Sequence, residues 1–101
     1  MNKFTSMLVL ITILFTSNIS YAAKKKILLV VTNHEQLGTT GKKTGYYLPE
    51  VAHPYFKFIQ AGHEVVFASP KGGYAPMDPK SKDLKDAENK KFFENKDLMK
   101  Q

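Results

Sequence analysis

Five consecutive apolar residues, Ile27-Leu28-Leu29-Val30-Val31, stand between three lysines and a polar, glycine-bearing loop. A run this rich in β-branched residues, with no polar alternation, suits a strand buried on both faces, as in a parallel sheet. Such a strand needs a layer of helices on each side, so the run constrains the architecture more than any other segment. Lys24-Lys25-Lys26 ahead of it reads as a solvated lead-in.

The loop from Thr32 to Gly45 contains Gly38, Gly41 and Gly45. It leaves the carboxyl end of the strand, the edge at which open α/β sheets hold their ligands. Beyond it, Leu48, Val51, Ala52, Tyr55, Phe56 and Ile59 fall on one helical stripe. Pro49 and Pro54 interrupt that stripe, and a proline inside a helix costs about 3 kcal/mol. The expectation is therefore a short turn around 48–51, a break, and a helix with Pro54 in its first turn. Gly62 suits the left-handed residue that ends such a helix. Glu64 to Ser69 reads as a second strand closed by Pro70, which completes a βαβ unit.

After a loop with Gly72-Gly73 and three prolines, the chain becomes highly charged. Phe92, Phe93, Leu98 and Met99 give a weak helical stripe over 86–100. One good helix covers one face of a two-stranded sheet, and no second layer for the first strand is evident. The fold expected is α/β, the opening βαβ part of a larger doubly wound domain, and incomplete.

Residues 1–22 read as a cleavable secretory leader. Lys3 supplies the charge, Met7 to Phe15 an apolar stretch with only Thr12 polar, and Ser20-Tyr21-Ala22 the small residues of a cleavage site. Spanning a bilayer takes roughly 20 apolar residues, so export to a periplasm or beyond, rather than anchoring, is expected. The mature part, from about residue 23 to 101, would then be one small domain, marginal without staples.

The formal charge of +6 comes from 15 basic residues, all of them lysine, against 9 acidic ones. The lysines spread over a tail, a loop and a charged end mixed with acids, so no nucleic-acid partner is expected. The absence of cysteine removes disulfides, thiolate metal sites and a thiol nucleophile. Gly38-Thr-Thr-Gly41-Lys-Lys-Thr44 has the wrong spacing for a phosphate loop. His34, His53 and His63 lack the spacing of a zinc site. No metal and no organic cofactor is expected. His34-Glu35, at the strand's carboxyl end, reads first as a solvated loop pair and second as a ligand contact.

Glu50 has two readings. It is an ordinary acid favouring a helix N-terminus, or a carboxyl partly buried by Tyr46, Tyr47 and Phe56 and held protonated as a general acid. Residue chemistry alone favours the first.

Several strings occur in order: Lys26-Ile-Leu-Leu-Val-Val-Thr32, Thr40-Gly-Lys-Lys-Thr-Gly-Tyr-Tyr-Leu-Pro-Glu50, His53-Pro-Tyr-Phe56, Gly62-His-Glu-Val-Val-Phe-Ala-Ser-Pro-Lys-Gly-Gly73 and Pro76-Met-Asp-Pro-Lys-Ser81. Together they resemble the ThiJ/PfpI superfamily, the class I glutamine amidotransferase-like proteins, in its branch of glyoxalase III-type enzymes and chaperones. The resemblance implies a flavodoxin-like doubly wound parallel sheet, often in a dimer. It also implies a site of cysteine, histidine and glutamate that converts methylglyoxal to lactate without metal or cofactor. Deglycase, amidase and holdase activities are ascribed to relatives. Glu50, in Thr44-Gly-Tyr-Tyr-Leu-Pro-Glu50, matches the family's glutamate, a general acid/base.

The family's Ala-x-Cys-His-Gly segment has no counterpart here. The expectation is an exported N-terminal segment cut before that segment and inactive by itself. A dicarbonyl or glycated substrate would be handled only if a downstream piece completes the site. A homodimer or oligomer remains open. The alternative expectation is a stand-alone binding or holdase-type fragment with an exposed apolar sheet face.

Overall fold

Two parallel strands and the helix between them organise the computed structural model, which describes residues 23–100. The leader reading at 1–22 falls outside the described residues. Strand β1 (Lys26–Val30) pairs with β2 (Glu64–Ala68), in register from Lys26 opposite Glu64 to Val30 opposite Ala68. Helix α1 (Leu48–Gln60) connects them. A 3-10 turn (Pro79–Ser81), helix α2 (Ala87–Glu94) and the short helix α3 (Lys96–Met99) follow.

Helix α1 is continuous, which corrects the broken helix expected from its prolines. Pro49 falls in the first turn, where its missing N–H matters little. Pro54 lies inside the helix and cannot donate to the carbonyl of Glu50. That carbonyl belongs to an exposed turn, where water can take the place of the lost donor. The helix ends as its glycine predicts. Gly62 adopts φ 85°, its N–H donates to the Ile59 carbonyl, and that of His63 donates to the Phe58 carbonyl.

The core lies between α1 and α2. Leu48, Val51 and Ala52 of α1 are buried with Phe92 of α2. Tyr55 meets Phe67 of β2 in a stacked pair at 5.8 Å and Phe92 edge-on at 5.5 Å. The charged end does not form one helix over 86–100 but breaks at Asn95, whose Oδ1 accepts from the N–H groups of Asp97 and Leu98. An asparagine side chain that can cap a new helix competes with continuing the old one.

Among the described residues only one face of the sheet is covered. Ile27, Leu29, Val65 and Phe67 are half-buried on the α1 side, whereas Leu28 is 60% and Val30 69% exposed. The apolar run is built for two covering layers and here meets one.

Candidate functional site at the carboxyl end of the sheet

Two loops leave the carboxyl ends of β1 and β2, and backbone contacts hold them together. The Asn33 side chain accepts from the Lys71 N–H at 2.7 Å and donates to the carbonyls of Gly72 and Tyr74 at 3.2 and 3.1 Å. One amide thereby fixes the glycine turn after β2 against the end of β1. Further on, the Tyr46 N–H donates to the Pro76 carbonyl and the Asp78 N–H to the Tyr46 carbonyl, at 2.9 and 2.8 Å. A Cβ on Gly45 would stand 2.1 Å from the Pro76 carbonyl oxygen. No residue with a side chain fits that crossing.

This crossing sets the start of α1. Tyr47 occupies the N-cap position but offers no side-chain cap. The missing acceptor comes from a distant residue: Ser81 Oγ accepts from the Leu48 N–H at 2.9 Å and donates to the Asp78 carbonyl at 2.6 Å. Asp78 itself accepts from the Lys80 N–H and from the Thr44 hydroxyl. Thr44, Gly45, Asp78 and Ser81 therefore form one brace around the first turn of α1, which carries Glu50.

Glu50 is exposed, as an ordinary acid at a helix N-terminus would be, and not partly buried by three aromatic rings as the second reading had it. The reason is helical geometry. At 100° per residue, Glu50 lies about 200° round the helix from Leu48, opposite the buried stripe. Phe56 belongs to the core side and Tyr47 is itself 47% exposed. Tyr46 turns inward, its hydroxyl donating to Met99 Sδ at 3.7 Å. Burial, and then the nearby Tyr74, push its phenol above the usual range.

The histidines lie apart. His34 and Glu35 line an open cavity of about 420 Å³ with Asn33 and Lys71, and Glu35 lies 3.7 Å from Lys43 Nζ. His53 Nε2 is 2.9 Å from Asp86 Oδ2, tying α1 to the start of α2. His63 accepts from the Lys25 N–H at the amino end of the sheet. Asp86 caps α2, and the Asn89 N–H, then the His53 side chain and its charge, outweigh partial desolvation and hold its carboxyl below the ordinary range.

The chain resembles characterised proteins in this same stretch. Glyoxalase 3 of Candida albicans is 35% identical over 72 residues, covering 69% of this chain and 30% of the relative. The glutathione-independent glyoxalase HSP31 of Saccharomyces cerevisiae is 36% identical over 78 residues, covering 74% and 32%. In solved structures, the Rapid Encystment Protein 24 kDa of Francisella tularensis superposes with a TM-score of 0.67 at 34% identity, covering 77% of this chain and 36% of that one. The chain is homologous to a part of these ThiJ/PfpI-family proteins. It spans about a third of the length of the relatives it matches. No protein-family model matches it.

The ThiJ/PfpI strings acquire a physical meaning in this geometry. Thr44-Gly45 and Pro76-x-Asp78-Pro-x-Ser81 are the two halves of the brace, and Glu50 lies six residues after Thr44 on the turn they hold. Sequence reasoning missed Ser81 as the cap of α1 and Asn33 as the loop clamp. The only local cue to Ser81 is the Asp78-Pro79 turn start that precedes it. Nothing local pointed to Asn33, because its three partners lie about 40 residues away.

Proposed function

We propose that this chain supplies the glutamate-bearing portion of a glyoxalase III-type site, works outside the inner membrane, and is inactive towards dicarbonyls by itself. The observation that carries this reading is Glu50: a braced but exposed carboxylate at the ligand edge of the sheet, in a sequence without any thiol. In the proposed reaction a thiolate from a downstream segment adds to the aldehyde carbon of methylglyoxal and gives a hemithioacetal. Glu50 takes the proton from that carbon and returns it to the neighbouring one. Water then releases lactate and restores the thiol. Without the thiol there is no adduct for Glu50 to act on. The similarity to two glyoxalases supports the substrate class.

The test is loss of methylglyoxal, followed with the purified chain alone and with the cysteine-bearing remainder of a relative added. The expected result is buffer-level loss for the chain alone and turnover in the mixture, abolished by Glu50→Gln. Turnover by the chain alone overturns the reading. For export, the expected result is that residues 1–22 carry a reporter out of the cytoplasm. A second reading, a holdase-type fragment without catalysis, draws on the exposure of Leu28, Val30 and Val66. Suppression of client aggregation that persists after Leu28→Lys would separate that activity from this face.

A further inference from the structure

A closed ring of hydrogen bonds holds the first turn of α1, and a single side chain closes it. The Asp78 N–H donates to the Tyr46 carbonyl at 2.8 Å. The Asp78 carbonyl accepts from the Ser81 hydroxyl at 2.6 Å, and Ser81 Oγ accepts from the Leu48 N–H at 2.9 Å. The chain from Tyr46 to Leu48 completes the circle. Ser81 is 3% exposed and Leu48 fully buried, so water cannot take the place of the hydroxyl. The first N–H groups of a helix ordinarily bond to water or to a cap beside them in sequence. Here the acceptor comes from 33 residues downstream.

The other side chains of the brace do not reach the helix. Asp78 Oδ1 accepts from the Lys80 N–H, and the Thr44 hydroxyl stands at a long 3.4 Å from Asp78 Oδ2. Between the pinned Leu48 N–H and Glu50 lies Pro49, whose ring holds φ at about −65°. The Glu50 N–H returns to the Tyr47 carbonyl at 3.0 Å. Once the Leu48 N–H is fixed, the backbone under Glu50 has little freedom left.

We propose that Ser81 is a positioning residue for Glu50: through the Leu48 N–H, its hydroxyl sets the direction in which the Glu50 side chain leaves α1. Every partner in the ring lies within residues 46–48 and 78–81, so the turn is set before any downstream segment meets it. Placement matters in this way because a displacement of about 1 Å at a reacting group can cost about a hundredfold in rate. The use of Glu50 rests on the glyoxalase III-type reading; the ring does not.

Amide hydrogen exchange of the full chain, read residue by residue by NMR, tests the ring without any turnover. The Leu48 N–H should exchange slowly, unlike an ordinary first helical N–H. Ser81→Ala should speed it about tenfold or more. The Val31 N–H, bonded to the Ala68 carbonyl at 2.8 Å, should stay as it was. Thr44→Val, which removes a hydroxyl that does not reach α1, should leave Leu48 protected. The Glu50 Cα–Hα residual dipolar coupling, which reports the local direction of the chain, should change in Ser81→Ala. With the cysteine-bearing remainder of a relative added, Ser81→Ala should lower kcat for methylglyoxal about tenfold to a hundredfold at unchanged KM.

A Leu48 N–H unprotected in the wild type, or unchanged in Ser81→Ala, overturns the proposal. Protection lost at Val31 as well makes Ser81 a structural residue and overturns it too, as does an equal effect from Thr44→Val. An unchanged Glu50 coupling, or an unchanged kcat where the wild-type mixture turns over, leaves a cap that positions nothing. A wild-type mixture without turnover sinks the glyoxalase III-type reading instead, and the exchange and coupling results still decide the role of Ser81.

Discussion

The two faces of the sheet are made of the same kinds of residue and meet different surroundings. Ile27, Leu29, Val65 and Phe67 lie under α1, while Leu28, Val30 and Val66, their immediate neighbours in sequence, lie open. Strand chemistry fixes that these segments are strands and that they pair in parallel. It does not supply the layers that cover them. Helix α1 covers its side because its stripe and the aromatic residues of β2 and α2 interlock around Tyr55. On the other side the described residues offer no matching stripe.

The covered side should therefore be sensitive and the open side tolerant. The largest effect is expected at Phe92, 2% exposed and in edge-to-face contact with both Tyr55 and Phe67. Phe92→Ala should cost about 3–5 kcal/mol. In a domain of this size that is enough to abolish the cooperative transition in a urea titration. A small, unchanged midpoint shift would show that α2 is not part of the folding unit.

The brace comes next. Gly45→Ala forces a methyl group into the Pro76 carbonyl and should cost about 1–3 kcal/mol as an overpacking effect. Ser81→Ala removes the remote cap of α1 and should cost about 1–2 kcal/mol. If both melt like the wild type, the brace does not hold the Glu50 turn, and the similarity to glyoxalases loses its local mechanism.

The α1–α2 contact should also carry a pH signature. The Asp86 carboxyl is held below its ordinary value of 3.8, first by the Asn89 N–H and then by His53. A lowered folded pKa means that the folded chain favours the ionised form. The stabilisation is then complete above the ordinary value and is lost as pH falls through the lowered one. Melting temperature followed from about pH 5 downward should fall more steeply for the wild type than for Asp86→Asn, which keeps a capping oxygen without the charge. Parallel curves would remove Asp86 as the source.

Much of this arrangement is legible in the residues, and the rest fails for local reasons. Both strands, the glycine end of α1 and the unmet need for a second covering layer follow from periodicity and composition. The straight course of α1 through Pro54 does not, because proline propensity is local and the packing of Leu48, Val51 and Tyr55 on one stripe overrides it. The exposure of Glu50 was in principle readable, since its angle from Leu48 is fixed by helix geometry. The aromatic residues at 46, 47 and 56 are close to Glu50 in sequence, but closeness along the chain does not bury a side chain on the opposite side of the helix. Asn33 and Ser81 act across 30 to 40 residues, beyond the reach of any periodic pattern.

The smallest effect gives the sharpest comparison, because it uses one substitution at two adjacent positions. Val65 and Val66 point to opposite faces of β2, the first half-buried on the α1 side and the second 37% exposed. Replacing valine by threonine keeps the shape and β propensity but puts a hydroxyl where a methyl was. On the covered side that hydroxyl loses water, so Val65→Thr should cost about 1–2 kcal/mol. On the open side it stays hydrated, and Val66→Thr should change stability by no more than about 0.5 kcal/mol. The measurement is made at low micromolar concentration. Equal costs at the two positions would mean that the open face is covered in solution even in the monomer, and that the asymmetry between the two sides of the sheet does not exist.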